Sequence, residues 1–118
     1  MTADDLKNRT KAFALRIIRL VEALPPGRAS DVIGKQLVKC GTSVAANYRA
    51  SCRAKSQADF IAKMGIVEEE ADESAFWLEV IVESGLLKKV LVEELIDEAY
   101  QIVAITVSSI NTARGHKR

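Results

Sequence analysis

The sequence has few of the residues from which enzymes build active sites. Among 118 residues it has two cysteines, one histidine and one tryptophan. The single histidine, His116, lies in the C-terminal tail, so it offers no credible base for a serine or cysteine nucleophile, and a Glu-x-x-His di-metal site cannot be built. No glycine-rich phosphate loop follows a strand. We therefore expect a protein that is not an enzyme, with no metal, no cofactor and no small-molecule substrate.

Long apolar runs are also missing. The first residues are acidic and polar, and no long apolar run follows them, which argues against a signal peptide. No run approaches the roughly 20 apolar residues that span a bilayer. Cys40 and Cys52 fall in one predicted helix, about 18 Å apart at about 1.5 Å per residue, which is too far for a disulfide bond. We expect a cytoplasmic protein with no membrane partner.

Prolines are scarce, and the adjacent pair at 25–26 makes the strongest break in the chain. Elsewhere apolar residues recur every three or four positions, and no alternating strand pattern occurs. Ser30 and Ser56 are predicted helix N-caps, and Gly85 is a predicted stop. The predicted helices cover about 4–24, 30–54, 57–85 and 91–112. They predict a single all-α domain, most simply an up-down-up-down antiparallel four-helix bundle.

The formal net charge of +1 conceals two halves of opposite sign. Residues 1–60 have eleven Lys and Arg against five Asp and Glu, whereas residues 61–118 have six against eleven. On the second predicted helix, four cations lie within an arc of about 80° opposite the apolar stripe. They are Lys35, Lys39, Arg49 and Arg53, with Lys55 after them and Arg16 of the first helix as a further candidate.

Such a basic row could neutralise successive phosphates of a nucleic acid. Two other interpretations remain open: a solvated surface, or pairing with the acidic segment 68–73 of the third helix. In the same second helix, Gly34 and Gly41 would let a neighbouring helix come close.

The third predicted helix has a second apolar stripe, away from the core stripe that begins with Phe60. It consists of Ile66, Trp77, Val80 and Ile81. A helix with two apolar faces in a small domain predicts that one face is covered by another subunit, and tryptophan is enriched at the centres of interfaces. The alternative is one wide core face.

Several segments together resemble a known family. They are 43–50 (SVAANYRA), 53–56, 60–63, 68–74 and 77–79. They resemble the four-helix-bundle proteins encoded within intervening sequences of bacterial 23S ribosomal RNA genes, and specifically a subgroup with Asn-Tyr-Arg-Ala where the commoner pattern has Glu-Gly. The chain is also similar to the accessory proteins of diversity-generating retroelements.

The resemblance implies a homopentameric ring that binds RNA or DNA, with a possible reverse-transcriptase-type protein partner. Five copies of the basic arc would favour binding to a polyanion. The leading hypothesis is therefore a non-enzymatic oligomer that binds nucleic-acid backbone through the basic face of the second helix. The alternative is a scaffold or adaptor whose basic and acidic faces pair between subunits.

Overall fold

The first and third helices begin where a polar side chain satisfies free backbone N–H groups. The computed structural model describes residues 1–115; His116 lies outside this range. Helix α1 covers Ala3–Glu22, and its cap Thr2 accepts the Asp5 N–H while the Asp5 carboxylate accepts the Thr2 N–H. Helix α3 covers Gln57–Glu83 and is capped by Ser56, as predicted. Helices α2 and α4 cover Arg28–Ser51 and Glu93–Ala113.

The bounds of α2 differ from the prediction. It begins before Ser30, after Gly27, whose φ of 155° suits glycine and turns the chain out of the proline pair. Ser30 therefore lies inside the first turn, where it is buried and does not cap the helix. At the other end, the N–H groups of Arg53 and Ala54 bond three residues back, forming turns where helix was predicted as far as residue 54.

The connection between α3 and α4 also contains structure that periodicity did not predict. Gly85 adopts a φ of 80°, so the predicted stop coincides with the end of α3. A short 3₁₀ helix, Lys89–Leu91, then precedes α4. Within residues 1–115 the secondary structure consists of these helices and turns, with no strand. The all-α, four-helix prediction is confirmed.

All four helices contribute to one hydrophobic core. Its largest fully buried side chains include Phe13, Ile17, Leu37, Val44, Met64, Leu78, Ile81 and Ile102. The assignment of Ile81 to an outward face is wrong, because this side chain is 0% exposed. Helix α3 packs against both α2 and α4, so its buried arc is wider than a single apolar stripe.

Helices α1 and α2 approach closely at two glycines, as the sequence predicted. A Cβ placed on Gly41 would lie 2.9 Å from Ile17 Cγ2, and one on Gly34 would lie 2.9 Å from Val21 Cγ1. These distances are shorter than a normal carbon–carbon contact. Because glycine has no side chain, α1 can pack closely against α2 at these two positions.

Helices α1 and α4 pack much less closely, and polar side chains span part of the gap. Arg9 Nε and Nη2 donate to the two carboxylate oxygens of Glu98 at 2.7 and 2.8 Å, and Nη2 also donates to Gln101 at 2.6 Å. A two-point arginine–carboxylate contact holds its partners in one orientation. The molecule measures 46 × 25 × 20 Å.

We predict that the two cysteines differ sharply in reactivity. Cys40 is 1% exposed, and its sulfur accepts a hydrogen bond from the Ser74 hydroxyl at 3.3 Å. Burial raises the pKa of the Cys40 thiol to about 11, whereas Cys52 is exposed. Since the thiolate is the reactive form, a thiol reagent should modify only Cys52 in the native protein and Cys40 only after unfolding. Cys52→Ser should abolish the native reaction; two equally fast thiols would contradict this.

Candidate nucleic-acid interface

A basic cleft lies between α1 and α2. It has a volume of about 440 Å³ and is lined by residues of these two helices: Lys7, Asn8, Lys11, Thr42, Ala45, Ala46 and Arg49. Three of the lining side chains carry a positive charge, and none is a carboxylate. The cleft therefore presents a concave, electropositive surface of the kind that attracts anions.

The cations of the cleft are nearly free of internal partners. Lys7 Nζ lies 4.0 Å from Asp4, and because both side chains are substantially exposed this ion pair is weak. Lys11 and Arg49 form no ion pair within residues 1–115. Ala45 and Ala46 contribute only methyl groups to the lining, so they add no negative charge that would repel an anion.

The predicted basic row on α2 is solvent-exposed. Its members are Lys35, Lys39, Arg49, Arg53 and Lys55. Within the described part of the chain, none of their side chains lies within 4.0 Å of a carboxylate. Within residues 1–115, these cations therefore form no ion pairs with the acidic segment 68–73 of α3.

The row does not form one continuous site. Lys35 lies about 21 Å along the helix from Arg49, at about 1.5 Å per residue. It lines a separate cavity of about 280 Å³ that also contains Glu22 and Asp31. These carboxylates make the surroundings of Lys35 much less favourable for a phosphate than the basic cleft.

Arg16 lies on a different surface from the α2 cations. Together with Arg19 it lines a groove between α1 and α4, opposite Glu94. The structure thus separates this candidate from the basic cleft.

Lys39 is exposed on α2 but does not line the cleft. Two other cations of the row lie close to the cleft in the chain. Arg53 and Lys55 follow Arg49 in the α2–α3 connection, and a nearby cavity of about 400 Å³ is lined by residues from Met1, Tyr48 and Phe60 to Ser109. Segments from all four helices therefore meet here. We call the set Lys7, Lys11, Arg49, Arg53 and Lys55 the basic end.

One carboxylate near the basic end is neutralised locally. Lys63 donates to Asp59, and the Lys55 N–H donates to the same carboxylate at 3.0 Å. The Lys63 ammonium, followed by the Lys55 amide, holds the pKa of Asp59 below its usual value. Asp59 is therefore charged at neutral pH, but a lysine compensates its charge.

The family model described as "23S rRNA-intervening sequence protein" matches residues 4–108. The chain belongs to this family. A search of curated proteins finds no match.

A solved structure supports the same relationship. It is the 1.70 Å crystal structure of a protein of unknown function from the S23 ribosomal protein family of Bacteroides thetaiotaomicron VPI-5482. It is 32% identical to this chain, with a TM-score of 0.86, and the match covers 94% of this chain and 99% of the other.

Two members of the basic end were not predicted from sequence. Lys7 and Lys11 are four residues apart on α1, so they share a helix face. That spacing is visible in the sequence, but which side of α1 borders α2 is not. Only the packing of α1 against α2 brings them to Arg49.

Within residues 1–115 the chain contains no cluster of three or more His, Cys, Asp or Glu side chains that could hold a metal ion. None of the helices in this range combines the length and the apolar character needed to cross a membrane.

Proposed function

We propose that this protein binds the phosphate backbone of RNA or DNA through its basic end, without catalysing a reaction. The observation that carries the proposal is the cleft in which Lys7 and Lys11 of α1 meet Arg49 of α2 with no carboxylate in the lining. Cations gathered from two helices can contact phosphates that one helix face cannot reach.

The free energy of binding would come mainly from counterion release. Each neutralised phosphate contributes about 0.7–0.9 to the slope of log affinity against log salt. If all five cations of the basic end contact phosphates, that slope is about −4. A fourfold rise in salt should then weaken binding by roughly 10²-fold.

The cleft offers little for reading bases. None of its seven lining residues is aromatic, so it has no platform on which a base could stack. Contacts to phosphates position a nucleic acid without reading its sequence. We therefore expect weak sequence preference, and the family's association with 23S ribosomal RNA makes structured RNA the first ligand to test.

The proposal predicts a salt-dependent complex with nucleic acid. Fluorescence anisotropy should be measured on a labelled RNA hairpin and a DNA hairpin of the same sequence, from about 50 to 200 mM salt. We expect binding at the lowest salt, a slope near −4, and little change when the hairpin sequence is scrambled. No binding at the lowest salt, or an affinity independent of salt, would contradict the proposal.

The scaffold hypothesis predicts a different result in the same experiment. Seven acidic residues and no Lys or Arg lie between residues 64 and 83 of α3, so basic and acidic faces of separate copies could attract each other. In that case rising salt should dissociate an oligomer, and neither hairpin should bind at any salt concentration.

A further inference from the structure

The cavity beside the basic cleft has the character of a site for a small organic group. Its volume is about 400 Å³, and side chains from all four helices and from the α2–α3 connection line it, among them Leu6, Tyr48, Cys52, Phe60, Ile105 and Ser109. Its walls are mainly aliphatic and aromatic, with hydroxyl and thiol groups between them. Concave, mostly apolar surfaces with a few convergent polar groups are typical of ligand sites between the helices of a bundle.

The cavity and the cleft adjoin each other along two helices. Arg49 lines the cleft, and Cys52, three residues later at the end of α2, lines the cavity. On α1, Lys7 lines the cleft and Ala3, four residues earlier, lines the cavity. Residues at these spacings are neighbours on one helix face, about 4.5–6 Å apart along the axis. A phosphate at Lys7 and Arg49 therefore lies close enough for the base of the same nucleotide to reach the cavity.

Tyr48 brings a buried hydrogen-bonding group to this cavity. The residue is 7% exposed, and within residues 1–115 its hydroxyl forms no hydrogen bond to a nitrogen or an oxygen; its polar neighbour is the Cys52 thiol, a weak partner. Burial, followed by the neighbouring thiol, raises the pKa of Tyr48, so the hydroxyl keeps its proton at neutral pH and can donate. A buried hydroxyl without a strong partner gains from a hydrogen bond to a ligand.

Phe60 supplies the aromatic ring that the cleft lacks. Its side chain is partly buried and packs against the core, which fixes its position, and it also lines the cavity. Stacking on an aromatic side chain suits any base, because every base has a π-face. No carboxylate lines the cavity, so nothing in its walls repels the phosphates that accompany a base.

We propose that this cavity receives the base of an unpaired nucleotide while the basic end holds the phosphates on either side of it. This inference rests on the proposed function and names its substrate class: RNA or DNA with a nucleotide free of base pairing. The base stacks on Phe60 and forms hydrogen bonds with the hydroxyls of Tyr48 and Ser109. Because hydroxyls both donate and accept, the cavity accepts any base, in agreement with weak sequence preference. A paired base would first have to lose its pairing and stacking.

Two other cavities suit a nucleotide less well. The groove that Arg16 and Arg19 line is built mainly of leucine side chains and has no aromatic ring. The cavity at Lys35 contains Glu22 and Asp31, whose carboxylates repel phosphate. The cavity beside the cleft combines an aromatic ring and hydroxyl groups with neighbouring cations.

The experiment compares two single strands of about ten nucleotides that have the same phosphates. One is a thymidine strand, and the other is an abasic strand, which has the sugar–phosphate backbone without bases. In fluorescence anisotropy, the wild type should bind the thymidine strand roughly tenfold more tightly, which is the size expected for stacking of one base. The two salt slopes should be equal, because the phosphate contacts are the same.

Two variants alter the cavity without changing the charge. Phe60→Leu removes the ring but keeps an apolar side chain, and Cys52→Leu narrows the cavity at an exposed position. Each should bind the thymidine strand only as tightly as the abasic strand, with an unchanged affinity for the abasic strand. Cys52→Ser is the matched control, because it leaves the cavity open and should keep the tenfold preference. Circular dichroism should confirm that the variants are folded; if Phe60→Leu is not, Cys52→Leu carries the test.

Cys52 also reports directly on occupancy of the cavity. At saturating concentrations, the thymidine strand should slow the reaction of Cys52 with a neutral thiol reagent severalfold, whereas the abasic strand should not. Equal protection by the two strands would show that the backbone, and not a base, covers the thiol.

The outcomes separate this inference from the proposed function. If the wild type binds both strands equally and in a salt-dependent manner, backbone binding stands and the base site is refuted. If neither strand binds, the proposed function fails and this inference fails with it. Folded Phe60→Leu and Cys52→Leu proteins that both keep the tenfold preference would show that the base lies elsewhere.

Discussion

Replacing Gly41 by alanine is expected to destabilise the protein by about 1 kcal/mol, although alanine is the better helix former. The new Cβ would lie 2.9, 3.0 and 3.2 Å from three atoms of Ile17. Ile17 is 0% exposed and β-branched, so its side chain can neither rotate away cheaply nor move into solvent. Overpacking costs about 1–3 kcal/mol, which exceeds the gain of about 1 kcal/mol in helix propensity.

The larger Gly41→Val substitution should cost about 3 kcal/mol or more, because its additional methyl groups add to the same overlap. The free energy of unfolding should be measured by urea titration monitored by circular dichroism. We expect the midpoint to fall in the order wild type, alanine, valine, with an unchanged slope.

A second glycine provides the matched control. Gly65 lies inside α3, and a Cβ placed there would meet no atom within 4 Å. Gly65→Ala should therefore stabilise the protein by up to about 1 kcal/mol, through helix propensity alone. If both alanine variants shift the midpoint in the same direction, overlap of the new Cβ with Ile17 does not control the stability of the Gly41 variant.

Reversing the two least-paired charges of the cleft should weaken RNA binding roughly 60-fold at 0.1 M salt. The variant is Lys11→Glu/Arg49→Glu. Each phosphate contact contributes a factor of roughly 8 at this salt concentration through counterion release, so two contacts contribute roughly 60. The slope of log affinity against log salt should become shallower by about 2.

The matched control is Arg28→Glu/Lys35→Glu, which makes the same change in net charge near the other end of α2. Lys35 shares its cavity with Glu22 and Asp31, so we expect its loss to change the affinity only a few-fold, through the overall charge. Anisotropy on the RNA hairpin measures both variants. Equal losses would show that net charge, rather than the cleft, determines binding.

For Arg49 and Lys35, exposure to solvent could be predicted from the sequence, but their neighbours could not. Their position opposite the apolar stripe was correctly read from a period of 3.6 residues, since both side chains are exposed. The sequence could not separate them functionally, because the neighbours of Arg49 come from α1 and those of Lys35 include Glu22 at the end of α1. Lys7 and Lys11 were missed for the same reason.

The third helix shows the limit of reading a single helix face. Ile66 is exposed, whereas Trp77 and Val80 are partly buried and pack against the core, and Ile81 lies within it. The exposed Phe76 was not predicted. Angles around α3 locate side chains relative to one another. How much of the circumference is buried depends on where α2 and α4 pack.

By itself, the sequence determined that the chain folds into helices, where α3 begins and ends, and which charges of α2 face outward. These properties are local: apolar spacing, capping side chains and glycine conformations act over a few residues. Only the tertiary structure decided that Lys7, Lys11 and Arg49 line one cleft, that Arg16 faces a leucine groove, and that Ile81 is buried. Those properties depend on which helix faces come into contact. That choice is determined by the packing of side chains that are far apart in the sequence.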